Sequence, residues 1–206
     1  IHTGAYGKDL GNINFTDIVE MILETCPSLY KLRISSIEES EIDERLLRLM
    51  LKDKRLARHF HIPLQSGSGE VLKRMNRRYT ASEFLNKIAS IREIIPDIAI
   101  TTDIIVGFPG ETNELFEETV AFIKKANFAQ LHVFPYSART KTSAASFKNQ
   151  VDGPTKKERV RKLLAISEQL KKKYATKFIH KEQEVLIETF DSETNLYFGH
   201  TTNYLE

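Results

Sequence analysis

Cysteine is almost absent from this chain: of 206 residues only Cys26 carries a thiol. One thiol builds neither a disulfide framework nor a Cys-x2-Cys metal site, so a disulfide scaffold is excluded and a reducing, cytoplasmic setting is expected. Its place at the end of an expected helix, just before Pro27, suits a structural thiol better than a nucleophile. Metal-ligand spacing is lacking elsewhere too, because His59 and His61 form no more than a His-x-His pair. No apolar run approaches the roughly 20 residues that a bilayer span needs, and no signal-peptide pattern opens the sequence, so no membrane partner is expected. A nucleophile beside a base is also missing: His61 and His132 fall on different expected strands with no carboxylate partner evident by spacing. Charge of one sign is not in excess, since the formal net charge is +2.

What is present has the make-up of a soluble globular protein, with 41% hydrophobic and 28% charged residues. The length allows one large domain, or one domain with part of another. The most informative stretch runs from Ile98 to Thr112. It opens with β-branched and apolar residues, as a strand buried on both faces should. It then breaks at Gly107-Phe108-Pro109-Gly110 and leads into a helical pattern over Asn113 to Ala126. A turn at the carboxyl end of such a strand is either a tidy corner or a place where ligands bind.

The remaining pattern repeats this plan. Thr16 is a candidate cap for a helix from Asp17 to about Thr25. Leu29 to Ile37 alternates like a strand, and a short helix follows at Asp43 to Leu51. Phe60 to Gln65 reads as a brief strand, limited by Pro63, and a helical turn covers Glu70 to Met75. Thr80 and Glu83 form a capping box for a helix from Ala81 to about Ile95. Gln130 to Tyr136 is a further strand, and Thr155 with Glu158 caps a long amphipathic helix to about Ile179. Strands near Arg33, Ile62, Ile104 and Val133 therefore alternate with helices, which predicts parallel strands joined by crossovers. A closed (β/α)8 barrel takes about 250 residues, so the expected fold class is α/β, a partial, open TIM-type barrel. Glu184 to Glu188 and Leu196 to Thr201 look like a hairpin that begins a small β domain. Expected divisions are 1–154 for the barrel, 155–180 for the long helix and 181–206 for the β segment.

Parallel strands would bring Arg33, Ser35, Gln65, Ser66, Asp103, Gly107, Tyr136 and Arg139 to one rim. Arg suits a carboxylate, Ser and Gln suit hydroxyls and amines, and an apolar strand edge suits a flat ring. A site of this kind without reactive side chains of its own implies that a cofactor does the chemistry. The basic residues between Lys148 and Lys181 are either a solvated helix face or a surface that approaches phosphates.

Three long motifs carry a family resemblance. They are Gln65-Ser66-Gly67-Ser68 leading to Val71-Leu72-Lys73-Arg74-Met75-Asn76-Arg77-Arg78-Tyr79-Thr80, then Thr102 through Thr112, and His132-Val133-Phe134-Pro135-Tyr136-Ser137-x-Arg139. In this order they resemble the radical S-adenosylmethionine methylthiotransferases. His2-Thr3-Gly4-Ala5-Tyr6-Gly7, Arg33-Ile34-Ser35-Ser36-Ile37-Glu38 and Gly199-His200-Thr201-x-Asn203-Tyr204 resemble the branch that acts on N6-threonylcarbamoyladenosine at position 37 of tRNA. Related branches act on isopentenyladenosine in tRNA or on an aspartate of a ribosomal protein. The chain departs from the family pattern at Glu39, Gly69, Lys141 and Ser143.

The resemblance implies S-adenosylmethionine as cofactor and two [4Fe-4S] clusters in the full-length protein. Clusters need thiolates, so this stretch is expected to bind neither and to be inactive alone, with the cluster loop, the first barrel strand and an N-terminal domain upstream of Ile1. It further implies cofactor-binding roles for Arg33, Ser35, Gln65, Ser66, Asp103, Gly107, Val133 and Phe134. Arg139, Lys156, Lys157, Lys171 and Lys172 would approach substrate or RNA, and no metal ligand and no catalytic side chain is expected here. The segment from Val185 to Tyr204 resembles the start of a TRAM domain, a small RNA-binding β barrel. The expected partners are tRNA and S-adenosylmethionine, and an open barrel edge is expected to self-associate. A non-catalytic RNA-binding paralogue is the alternative of another class.

Overall fold

A computed structural model describes residues 6–7, 9–11, 13–140 and 142–206. His2 to Ala5 of the first motif, and Lys141, lie outside the described residues. In chain order the elements are α1 (Phe15–Thr25), α2 (Glu44–Lys52), β1 (His59–His61), α3 (Gly69–Arg74), α4 (Ala81–Ile94), β2 (Ala99–Val106), α5 (Asn113–Ala126), β3 (Gln130–Pro135), α6 (Gly153–Ala175), β4 (Val185–Asp191) and β5 (Leu196–Thr201). Helices thus alternate with the strands of a sheet ordered β1-β2-β3, and β4 and β5 form a separate two-stranded sheet. The chain divides into two compact units. One gathers the residues up to Ile62, Ser90–Ile100 and Ala175–Glu206, and the other gathers Pro63–Ala89 and Thr101–Tyr174.

In the first unit α1 starts two residues earlier than Thr16 would set it. Asn14 is the cap: its side chain accepts the Asp17 N–H at 3.1 Å while Asp17 accepts the Asn14 N–H at 2.7 Å. The Thr16 hydroxyl instead donates to Asp43 at 3.1 Å, and Asp43 caps α2 by accepting the Leu46 N–H at 2.7 Å. The expected strand over Leu29 to Ile37 shrinks to one parallel bridge, Leu32 to Leu56. The Leu32 N–H bonds Arg55 O at 2.8 Å and its carbonyl accepts from Ala57 at 2.9 Å, and Ile37 regains a partner only at His61 O, 3.1 Å away. The hairpin is formed as expected. Its antiparallel register slips between Ile187 and Thr189, and a Cβ on Gly199 would lie 1.9 Å from Leu186 O, so no larger residue fits this bulge.

The second unit holds a βαβ element in which β2 and β3 run parallel with α5 between them. α5 matches its expected bounds, with Thr112 capping Leu115 N–H at 3.3 Å. Asn127 then closes the helix in the left-handed region at φ 52°. Pro63 does interrupt the ladder: Leu64 N–H turns to the Thr102 hydroxyl at 3.0 Å, and pairing resumes at Gln65. The outer edge of β3 is covered by α6, because Ser167 Oγ accepts the Leu131 N–H at 3.0 Å. Thr80 and Glu83 form the expected capping box, at 2.8 and 3.2 Å. The cap of α6 is Asp152 rather than Thr155, whose N–H and hydroxyl both donate to it at 2.8 Å. α6 also stops at Ala175, where a 3-10 turn over Thr176–Phe178 replaces the continuation to Ile179.

Candidate functional site: the carboxyl rim of β2 and β3

Strand alternation decides which side chains can meet a ligand in the second unit. Ile104 and Val106 are buried while Asp103 and Ile105 are half-buried, so one face of β2 is closed and the other is partly open. Register places His132 opposite Asp103 and Phe134 opposite Ile105, and Phe134 is half exposed. Val133 pairs with buried Ile104, on the other face. Val133 and Phe134 therefore cannot both offer side chains to one ring, a separation that the expected role for the pair did not include.

Gln65 joins this rim in an unusual backbone state, φ 70°, which non-glycine residues seldom adopt. Its N–H donates to Asp103 O and its carbonyl accepts from Ile105 N–H, both at 2.8 Å, and these two bonds hold the strained residue at the end of the sheet. Ser66 is corrected. Its hydroxyl is fully buried and engaged with Thr119 Oγ1 at 3.2 Å and with the Ser68 N–H at 3.2 Å, so it braces the loop and faces no open space. Ser68 in turn donates to Glu118 at 2.6 Å.

Gly107 ends β2 at φ 74°, and a Cβ there would meet Lys156 Cγ at 2.4 Å. The Gly107 N–H donates to the Glu111 carboxylate. The same carboxylate oxygen takes Arg159 Nη1 at 2.8 Å, and this guanidinium also reaches Glu111 O at 3.1 Å and Asn113 Oδ1 at 2.9 Å. Both charged residues are buried. Burial pushes the Glu111 carboxyl up from its ordinary value, while the Gly107 amide and the Arg159 guanidinium pull it back. Glu111 is thus the organiser of the turn, held by an arginine that no motif flagged. The sequence did carry a signal: Arg159 stands on the same helical stripe as Leu163, Ile166, Leu170 and Tyr174, all buried. A charge in an apolar stripe needs a partner.

Lys156 was expected on an RNA-facing surface. Its stem instead covers Gly107, and its ammonium lies 5.3 Å from the centre of the Tyr136 ring. The Tyr136 hydroxyl is buried with no hydrogen-bond partner. Arg139, Lys157 and Lys172 are exposed and Lys171 is half-buried.

Arg33 and Ser35 belong to the first unit. Ser35 is exposed. Arg33 departs from the role expected for it, because its guanidinium donates to Thr201 O at 2.9 Å and stacks 5.2 Å from the centre of the Tyr204 ring. Desolvation lowers its pKa. Tyr204 also stacks on His59 at 4.0 Å and on His200 at 4.8 Å, so the arginine clasps the tail of the chain.

An α/β protein with parallel strands, a buried carboxylate–guanidinium pair behind the strand turn and a polar rim at the strand ends has the arrangement in which barrel-type folds bind ligands. Comparison narrows this. The chain belongs to the radical SAM superfamily, whose family model matches residues 3–123. It is 43% identical over 209 aligned residues to the threonylcarbamoyladenosine tRNA methylthiotransferase MtaB of Bacillus subtilis, covering 100% of this chain and 46% of that protein. It is 39% identical to the tRNA-2-methylthio-N(6)-dimethylallyladenosine synthase of Acetivibrio thermocellus, over 97% of this chain and 42% of the relative. The MtaB of Thermotoga maritima is 38% identical over 92% of this chain and 43% of its own length. The chain therefore spans less than half the length of these curated relatives. Coproporphyrinogen III oxidase (HemN) from Escherichia coli shares the fold, with a TM-score of 0.59 at 19% identity over 75% of this chain and 37% of that one.

The superfamily implies S-adenosylmethionine and a [4Fe-4S] cluster. A cluster is held by cysteine thiolates. Cys26, the one cysteine, is exposed after α1, and the described residues contain no group of three or more His, Cys, Asp and Glu able to hold a metal. These residues do not supply a cluster's ligands. The polar, half-open rim does fit an adenosine-bearing cofactor.

Proposed function

We propose that this chain is the central part of a radical S-adenosylmethionine tRNA methylthiotransferase, which converts N6-threonylcarbamoyladenosine at position 37 to its 2-methylthio derivative. The observation that carries the reading is the 43% identity to the Bacillus subtilis relative across the whole of this chain. Gln65, Asp103, Gly107 and Phe134 would line the adenosine side of the cofactor site, with Lys156 closing over the glycine and Ser66 acting behind them. The cluster thiolates would come from residues outside this stretch. The strands from Val185 to Thr201 would begin a TRAM-like β barrel. The partners are then tRNA and S-adenosylmethionine. No described helix is long and apolar enough to cross a membrane, which is compatible with a cytoplasmic site of action. Self-association through the barrel edge remains part of this proposal.

The dimethylallyladenosine branch is the second reading, favoured by the 39% identity to the Acetivibrio thermocellus relative. One experiment separates them. Nucleosides from the tRNA of a strain lacking this gene are weighed by mass spectrometry. Loss of 2-methylthio-N6-threonylcarbamoyladenosine with retention of the 2-methylthio-isopentenyl nucleoside is the expected result. The converse assigns the second branch. An unchanged tRNA profile refutes both, and points to a ribosomal-protein aspartate or a non-catalytic RNA-binding paralogue.

A further inference from the structure

The first unit contains a cavity of about 330 Å³, lined by loops that precede β1 and β2, by the segment leading into β4, and by Thr202 and Asn203 just after β5. Four cations border it, Lys31, Lys54, Arg58 and Lys181, against two carboxylates, Asp97 and Glu184. Glu184 is fully occupied: it pairs with Lys31 at 2.6 Å and accepts the Tyr30 hydroxyl at 2.6 Å. These partners hold its carboxyl below the usual range. With that pair cancelled, three cations face one carboxylate. Among the described residues the side chains of Lys54 and Arg58 make no hydrogen bond or ion pair, and Lys181 lies 5.6 Å from the centre of the Phe178 ring.

A smaller recess of about 140 Å³ shares Lys31, Glu184 and Thr202 with this cavity and is lined by Arg33. Arg33 Nη1 is buried and has no hydrogen-bond partner. A surplus of unspent cations beside an aromatic ring is the composition that meets phosphodiester oxygens and stacks a base.

We propose that this cavity binds RNA, with Lys54 and Arg58 on backbone phosphates and Phe178 against an unstacked base. The ligand class rests on the tRNA reading above. The site itself is additional to that reading, because none of the basic residues expected to approach RNA lines it; Thr202 and Asn203 alone belong to the segment expected to begin an RNA-binding barrel.

The test is fluorescence anisotropy of an unmodified tRNA transcript with the full-length protein, across a potassium chloride series. Lys54→Ala with Arg58→Ala is expected to reduce the slope of log affinity against log salt by about 1.4 to 1.8, two phosphate contacts' worth. Phe178→Ala is expected to weaken binding roughly tenfold without changing the slope. Lys54→Ala alone, a single exposed change, serves should the double variant unfold, and is expected to lower the slope by about 0.7 to 0.9. Unchanged slopes in folded variants overturn the proposal, as does a wild-type protein that does not bind the transcript. The nucleoside profile of the gene-deletion strain reports on the tRNA reading independently, so a protein that modifies tRNA while its variants keep the full slope refutes the cavity alone.

Discussion

Replacing Arg159 by alanine is expected to destabilise the protein by about 3–5 kcal/mol, the cost of leaving a buried carboxylate without its counter-charge. The guanidinium makes three bonds that alanine cannot, to Glu111 Oε2, Glu111 O and Asn113 Oδ1. Glu111 itself is only 4% exposed, so water cannot substitute. Urea unfolding followed by circular dichroism reads the change. With a slope of about 2 kcal/mol/M, the midpoint should fall by about 2 M. The cost should also depend on pH. Burial already raises the Glu111 carboxyl above its ordinary 4.5, and loss of Arg159 raises it further. Between the unfolded and folded values the native state binds more protons than the unfolded one, so stability falls as pH rises through that window. The Arg159→Ala penalty should therefore be smallest near pH 4.5 and grow toward pH 8. Pairing Glu111→Gln with Arg159→Leu should recover part of the loss, since the amide can still accept from Gly107 and no charge is left buried. A penalty below about 1 kcal/mol, or one flat with pH, or a double variant no more stable than Arg159→Ala, would refute the reasoning.

Two glycines separated by one residue should respond in opposite ways. A Cβ on Gly67 would lie 2.6 Å from Phe122 Cβ and 2.9 Å from Thr119 Cα, while one on Gly69 meets nothing within 4 Å. Gly67→Ala should cost about 1–3 kcal/mol and Gly69→Ala should gain about 0.4–1 kcal/mol; equal thermal midpoints would contradict the packing described. Arg33→Ala removes the bond to Thr201 O and the stack on Tyr204, worth about 1–2 kcal/mol together. Hydrogen exchange at Thr201 and Leu205 should then accelerate roughly five- to thirtyfold, and unchanged protection would show that Arg33 does not hold the tail.

Local signals were legible wherever one residue type had one physical use. The Thr80–Glu83 box, the span of α5 and the parallel order of β2 and β3 are of this kind. Caps were misplaced where two capping residues stood close together: Asn14 beat Thr16, and Asp152 beat Thr155, because the winner also had a backbone donor in reach. Leu29 to Ile37 alternates correctly, yet a strand needs a neighbour along its length and only Leu32 has one in register. The rim around Gln65, Asp103 and Gly107 was readable from strand ends followed by turns. The bond from Arg33 to Thr201 was not legible because its partner lies 168 positions away, and no local pattern reports such a contact.

The interleaving of the two units sets an order of events on the ribosome. The second unit is continuous apart from the segment between Ala89 and Thr101, and its contacts are available once Tyr174 has been made. Its Ser68–Glu118 and Arg159–Glu111 links span 50 and 48 positions. The first unit is begun earlier but cannot close until Thr201 arrives to meet Arg33. The part of the chain synthesised first is thus completed last, and until then the His59 ring lacks the Tyr204 ring that stacks on it.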